Sequence, residues 1–291
     1  MKPIKSLGQN FLRDTTVLEK IIQSANLKSD NFVIEIGPGK GVLTEKLFKH
    51  AGKVLAIEVD GALANKLKKQ YKDSKKIEII NADILKINLP EIISNLTPSP
   101  SPYKGEGGTI HYKVVANIPY YITSPIIQLF LETKFPPSEM ILMVQKEVAE
   151  RICSNPGQMS ILAVSVQYYA KPELLFYVDK ESFFPVPEVD SAVIKITPFQ
   201  STTSSTTIPL TKEKGAGNFF RIVKAGFSSK RKTLVNNLSA SLKLDKKEVE
   251  EKLKKIGITP KQRAQELSVE DWKKIANSLP VIASKAKQSQ D

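Results

Sequence analysis

The sequence predicts an α/β fold, a mostly parallel sheet with helices on both faces, followed by a small basic helical domain. Three observations carry this. Short apolar runs alternate with helical periodicity over the first two-thirds of the chain, the first run closes on a glycine-rich turn, and positive charge is segregated toward the C-terminus. Of a net +13, +10 falls in residues 212–291, where 19 Lys+Arg face 9 Asp+Glu.

Taken in order, Asp14 stands as an N-cap before Val17, Leu18, Ile21 and Ile22, which share one helical face. Residues 32–37 (FVIEIG) read as a strand, 43–48 as a helix and 53–59 (KVLAIEV) as a second strand. A helix over 62–71, strands over 77–80 and 113–117 and a helix over 124–132 continue the βα alternation. Further apolar runs fall at 140–144 and 191–196. Beyond them 219–242, 246–256 and 269–279 have helical spacing, with Thr259-Pro260 and Ser268 as helix starts.

Two stretches interrupt the order. Residues 97–109 (TPSPSPYKGEGGT) read as a surface insertion, and 200–217, opening on Ser and Thr, as a linker. The expected organisation is therefore a ligand-binding α/β domain over 1–199, a basic helical domain over 218–279 and a polar tail over 280–291.

Composition excludes several classes. One cysteine, Cys153, and two histidines, His50 and His111, leave no disulfide scaffold and no Cys/His metal site, so no metal is expected. No run approaches the ~18 apolar residues of a membrane span, and the N-terminus lacks an apolar leader core, so the expected location is cytoplasmic. The basic surplus points instead to a polyanionic partner.

The turn Glu35-Ile36-Gly37-Pro38-Gly39-Lys40-Gly41 joins strand to helix, where glycines let backbone approach a ligand. Glu58 ends the next strand, 21 residues after Gly37, where an acid accepts from a ribose diol. Val42 replaces the last glycine of G-x-G-x-x-G and no G-K-[ST] loop exists, which disfavours a pyrophosphate. A nucleoside with an amino-acid tail, S-adenosylmethionine, fits better. Asp83 closes the third strand at the same edge. In isolation it reads equally as a turn residue, and its place in the series favours the adenine amine.

Asn117-Ile118-Pro119-Tyr120 ends the fourth strand. An adenine N6 is a poor nucleophile because its lone pair is delocalised into the ring. Two acceptors, the Asn117 side-chain oxygen and the Ile118 carbonyl, suit its two hydrogens, while Pro119 stiffens the turn and Tyr120 offers a ring face. Catalysis then reduces to positioning, with about 3–3.5 Å between reacting atoms. Phe183, in Phe183-Phe184-Pro185-Val186-Pro187, is the expected stacking platform for an extruded base.

In these residues the chain resembles the small-subunit ribosomal RNA adenine N6-dimethyltransferases, a family of S-adenosylmethionine-dependent methyltransferases. Gly8-Gln9-Asn10-Phe11-Leu12 matches its N-terminal motif, Gly37 and Gly39 its glycine loop, and Asn117 to Tyr120 its catalytic tetrapeptide. Phe183-x-Pro185-x-Pro187-x-Val189 matches its target loop, and Ile258-Thr259-Pro260 with Arg263-Ala264 and Leu267-Ser268 its C-terminal signature. Gln265 stands where glutamate is common.

The resemblance implies a Rossmann-like sheet with a small C-terminal helical domain, and Asn10 and Leu12 touching the methionine end of the cofactor. It also implies Asn117 near that cofactor, and transfer of four methyl groups to two adjacent adenosines near the 3′ end of 16S rRNA, leaving S-adenosylhomocysteine. The expected partner is 16S rRNA in the small ribosomal subunit, with a role in ribosome biogenesis, no protein partner and a monomeric chain. Lys230, Arg231 and Lys232, beside Phe227, are the expected RNA contacts. Two rivals stay open: a large-subunit rRNA or DNA adenine methyltransferase, and an assembly factor that binds without needing to methylate.

Overall fold

The computed structural model describes residues 8–96, 111–199 and 214–279. The chain divides into two compact units, residues 1–153 with 169–210 and residues 154–168 with 211–291.

In the first unit, β1 (Phe11–Leu12) precedes α1 (Thr15–Ala25), whose N-cap Asp14 accepts from the Thr16 and Val17 amides. Then follow β2 (Phe32–Ile36), α2 (Val42–His50), β3 (Lys53–Glu58), α3 (Gly61–Gln70), β4 (Ile77–Asn81) and α4 (Leu89–Leu96). β5 (Tyr112–Asn117), α5 (Thr123–Leu131), β6 (Glu139–Gln145) and α6 (Lys146–Ile152) continue the alternation. Where the sequence predicts an element in this unit, one is present, with its ends shifted by a residue or two.

The seven-stranded sheet has the order β4-β3-β2-β5-β6-β9-β7, with β7 at Ala170–Val178 and β9 at Ser191–Pro198. Every pairing from β4 to β6 is parallel, and β9 runs antiparallel to both its neighbours. β2 is buried over its whole length, as a parallel strand covered on both faces must be.

β7 escapes sequence reading because Pro172 interrupts it and its burial does not alternate. Pro172 is tolerated because β7 lies at the sheet edge, where a missing donor leaves no ladder bond unmade.

The second unit corrects three expectations. Residues 154–168, assigned by sequence to the α/β domain, carry most of α7 (Ile161–Tyr169) and share a core with the C-terminal helices: Met159, Ala163 and Val164 join Trp272, Ile222 and Leu238. Tyr168 and Phe219 bring ring centroids to 4.2 Å. The apolar surface of α7 runs round nearly the whole helix, which gives no periodic signal of where it packs.

The expected helix over 219–242 is two helices, α8 (Lys214–Gly226) and α9 (Leu234–Leu242), so α8 also takes residues 214–217 from the expected linker. Buried Asn237 closes the turn between them, its amide donating to the carbonyls of Gly226 (2.6 Å) and Ser229 (2.9 Å) while Ser228 Oγ donates to its oxygen at 3.3 Å. Lys230, Arg231 and Lys232 therefore project from a turn, all three exposed, rather than from a helix face.

Thr259-Pro260 does not start a helix. The Pro260 and Gln262 carbonyls accept from the Val235 and Leu234 amides, taking up donors that the first turn of α9 leaves unmet. Ser268 does start one, in a capping box with Asp271 at the head of α11 (Val269–Ser278). α10 (Lys246–Lys255) is capped by Asp245. The expected insertion, most of the linker and the tail lie outside the described residues. No helix among the described residues is long and apolar enough to cross a membrane.

Candidate active site

The chain steps from β2 outward to β3 and β4, then returns to β5 on the other side of β2. Connections that leave adjacent strands in opposite directions open a crevice at their carboxyl ends, the place where open α/β sheets bind ligands. A cavity of about 300 Å³ lies there, walled by the β2 glycine turn, the ends of β3 and β4, the β5 tetrapeptide and residues 8–12.

The glycines are required by geometry at two positions. Gly39 has φ +59°, donates to Glu58 Oε2 at 2.9 Å, and sits where a Cβ would come within 3.1 Å of the Phe11 ring. Gly41, at φ +85°, lies against Leu67, so the third glycine of the turn serves packing between α2 and α3.

Two carboxyls form the floor. Glu35 is 1% exposed and its Oε2 has no hydrogen-bond partner. Burial pushes its carboxyl up to about 8, with the Thr44 hydroxyl opposing and the charge of Glu58 adding. Glu58 is also raised, first by burial, while the Asp60 and Gly39 amides pull it back. Its oxygens accept one amide each, leaving lone pairs free.

Asn10, Leu12, Gly37, Gly39, Glu58, Asp83 and the run Asn117 to Tyr120 all line this one cavity. Asp83 is also a turn residue: Oδ1 accepts from the Leu85 amide at 3.0 Å and Oδ2 pairs with Lys86 at 3.4 Å. Asn117 Nδ2 reaches the Asn10 carbonyl at 3.4 Å, a long bond that turns Oδ1 away, and Oδ1 accepts no bond among the described residues. The Ile118 amide donates to Met143 O at 3.2 Å, and the Tyr120 hydroxyl shares a 2.7 Å bond with Ser191. The tetrapeptide is thus fastened to β6, β9 and the 8–12 segment.

Phe183 is not brought there. It is 2% exposed, packed in the core with Leu12, and does not line the cavity. The reason is a two-residue ladder: β8 (Phe183–Phe184) pairs antiparallel with β1, Leu12 opposite Phe183 and Phe11 opposite Phe184. Alternation puts Leu12 and Phe183 on the core face of the ladder and Phe11 and Phe184 on the other, where Phe11 meets the cavity and Phe184 is exposed. Two further residues line the cavity to which the sequence alone assigns no role: Glu35, and Gln9, which donates to Asp60 Oδ2 at 3.0 Å. An acid two residues before the first glycine was the available signal for Glu35.

A family model described as ribosomal RNA adenine dimethylase matches residues 2–280. This chain belongs to that family. Membership makes the protein an S-adenosylmethionine-dependent rRNA adenine methyltransferase. The ribosomal RNA small subunit methyltransferase A of Dehalococcoides mccartyi (strain ATCC BAA-2100 / JCM 16839 / KCTC 5957 / BAV1) is 42% identical over 94% of this chain and 88% of its own. A dimethyladenosine transferase from Plasmodium falciparum superposes with TM-score 0.71 at 27% identity, covering 91% of this chain and 95% of that one. The 23S rRNA methyltransferase ErmE does so with TM-score 0.67 at 27% identity, covering 93% and 99%.

The cavity of this dimethylase-family chain fits the cofactor on its own chemistry. An unmet, buried carboxyl oxygen calls for a cationic donor such as an α-ammonium, and half-used Glu58 calls for hydroxyls.

Proposed function

We propose that the protein dimethylates N6 of two adjacent adenosines near the 3′ end of 16S rRNA in the small ribosomal subunit, and so acts in ribosome biogenesis. The observation that carries the chemistry is the placing of Asn117 to Tyr120 on the same cavity wall as the glycine turn and the acid pair. The small-subunit assignment is supported by 42% identity to a relative of that name, against 27% for the 23S enzyme.

S-adenosylmethionine, when bound, supplies an electrophilic methyl group on a cationic sulfur. Glu35 would take its ammonium, the Gly37–Gly39 backbone its tail, Glu58 its ribose and Asp83 its adenine edge, with Asn10 and Leu12 closing the methionine end. Asn117 Oδ1 and the Ile118 carbonyl accept from the target amine and orient its lone pair. Pro119 and the Tyr120–Ser191 bond hold that geometry. His50 and His111 lie outside the cavity, and no side-chain base is needed because the amine sheds its proton to water after transfer. Lys230, Arg231 and Lys232 supply phosphate contacts from the second unit.

Asn117→Ala should cut methyl transfer to unmethylated small subunits by roughly 100-fold or more, with cofactor affinity changed far less. Full activity in that variant would sink the chemistry. Labelled transfer preferring large subunits or duplex DNA would sink the substrate, and mass spectrometry should find four methyl groups on small-subunit rRNA only where the protein is present.

A further inference from the structure

The outward face of the β1–β8 ladder carries an aromatic–cation pair that lies outside the cofactor cavity lining. Phe184, opposite Phe11, is 44% exposed, and the Arg13 guanidinium lies over its ring, 3.9 Å from the centroid. Arg13 is two residues beyond Phe11, and its amide extends the ladder by donating to Ser182 O at 2.8 Å, so its side chain shares that face. On the same face Lys40 Nζ lies 4.5 Å from the centroid of Phe11, which itself lines the cofactor cavity. Two cation–ring pairs, Lys40 with Phe11 at the cavity and Arg13 with Phe184, thus flank one register pair of the ladder.

We propose that Phe184 and the Arg13 guanidinium over its ring form a nucleotide platform for the substrate rRNA, taking a base next to the target adenosine on the ring and its phosphate on the guanidinium. This rests on the reading that the adjoining cavity methylates RNA. Three facts carry it. The ring is 44% exposed and sits on the residue paired across the ladder with Phe11, which lines the cavity. Arg13 makes no ion pair among the described residues. Asp14, the carboxylate next to it in the chain, is committed to the α1 amides and to the Ser182 hydroxyl at 3.3 Å. A guanidinium over a ring and without an ion-pair partner has N–H groups to offer a phosphate in bidentate contact. Stacking on an aromatic is tolerant of base identity, which suits a flanking position. Buried Phe183 cannot serve this purpose without leaving the core.

Steady-state methylation of unmethylated small subunits tests the platform. Phe184→Leu keeps bulk and loses the π face, and Arg13→Gln keeps length and loses charge. Each should raise KM for the subunit roughly 5- to 100-fold with a smaller change in kcat, and Phe184→Trp should restore the wild-type KM. S-adenosylhomocysteine affinity, read by calorimetry, should stay within about twofold of wild type in all three. If the pair is only a strap holding β1 to β8, cofactor affinity and melting temperature fall while KM for RNA holds, and the proposal is overturned. It is equally overturned if tryptophan is no better than leucine. Wild-type protein inactive on small subunits would instead break the substrate assignment, and the same KM comparison would then be made on 23S rRNA.

Discussion

Glu35 in the sheet unit and Asn237 in the helical unit are both buried polar side chains beside a turn, and they end up in opposite conditions. Asn237 has both ends of its amide satisfied, and the result is a fixed loop that shows three cations to solvent. Glu35 keeps an unmet oxygen in a carboxyl that burial holds near pKa 8, at the wall of a cavity. Trp272 Nε1 is unmet too, but it is a neutral donor sealed in an apolar cluster. A satisfied buried group defines architecture, whereas an unsatisfied titratable one facing a cavity marks where a ligand completes the structure.

The sharpest way to break this contrast is pH. The folded state holds the Glu35 proton from the ordinary 4.5 up to about 8, where the unfolded chain has already released it. Stability from this group is therefore full below 4.5 and falls as pH rises through about 8, by roughly 5 kcal/mol at ~1.4 kcal/mol per unit. Glu35→Gln should flatten the melting-temperature profile of the cofactor-free protein across that window, and parallel profiles would refute the assignment. The same substitution should weaken S-adenosylhomocysteine binding.

Asn237→Ala should cost about 2–4 kcal/mol at every pH, because it strands the Gly226 and Ser229 carbonyls. Denaturant unfolding measures this, and a pH-dependent loss would blur the distinction drawn from Glu35. The smallest effect concerns the turn that Asn237 holds. Replacing Lys230, Arg231 and Lys232 by alanine should leave stability within about 0.5 kcal/mol and lower the slope of log affinity for rRNA against log salt by roughly 0.7 per cation. An unchanged slope would remove them from the interface.

How much of this was legible without coordinates differs by residue. The β2, β3 and β5 strands, the Gly37–Gly39 turn, Glu58 and Asn117 were readable because each depends on local pattern or on its place at a strand end. The break at residues 227–233 was not, since Asn237 reaches back eleven residues to Gly226 and helical periodicity continues across the gap. α7 carries no local signal of its place because residues 154–168 pack with a unit distant in sequence. Phe183 and Phe184 are adjacent and chemically identical, so composition could not say which faces the core.

Sequence by itself determined the βα order, the acids and glycines at strand ends, the segregated charge and the family. Those are local or compositional properties, written in periods of two and 3.6 residues and in short spacings. Only the tertiary structure decided that Leu12 takes Phe183 into the core while Phe11 turns to the cavity and Phe184 to solvent, and that Asn10 orients Asn117 from 107 residues away. A pairing register set between distant segments shifts every side chain to one face or the other, and no local signal records that choice.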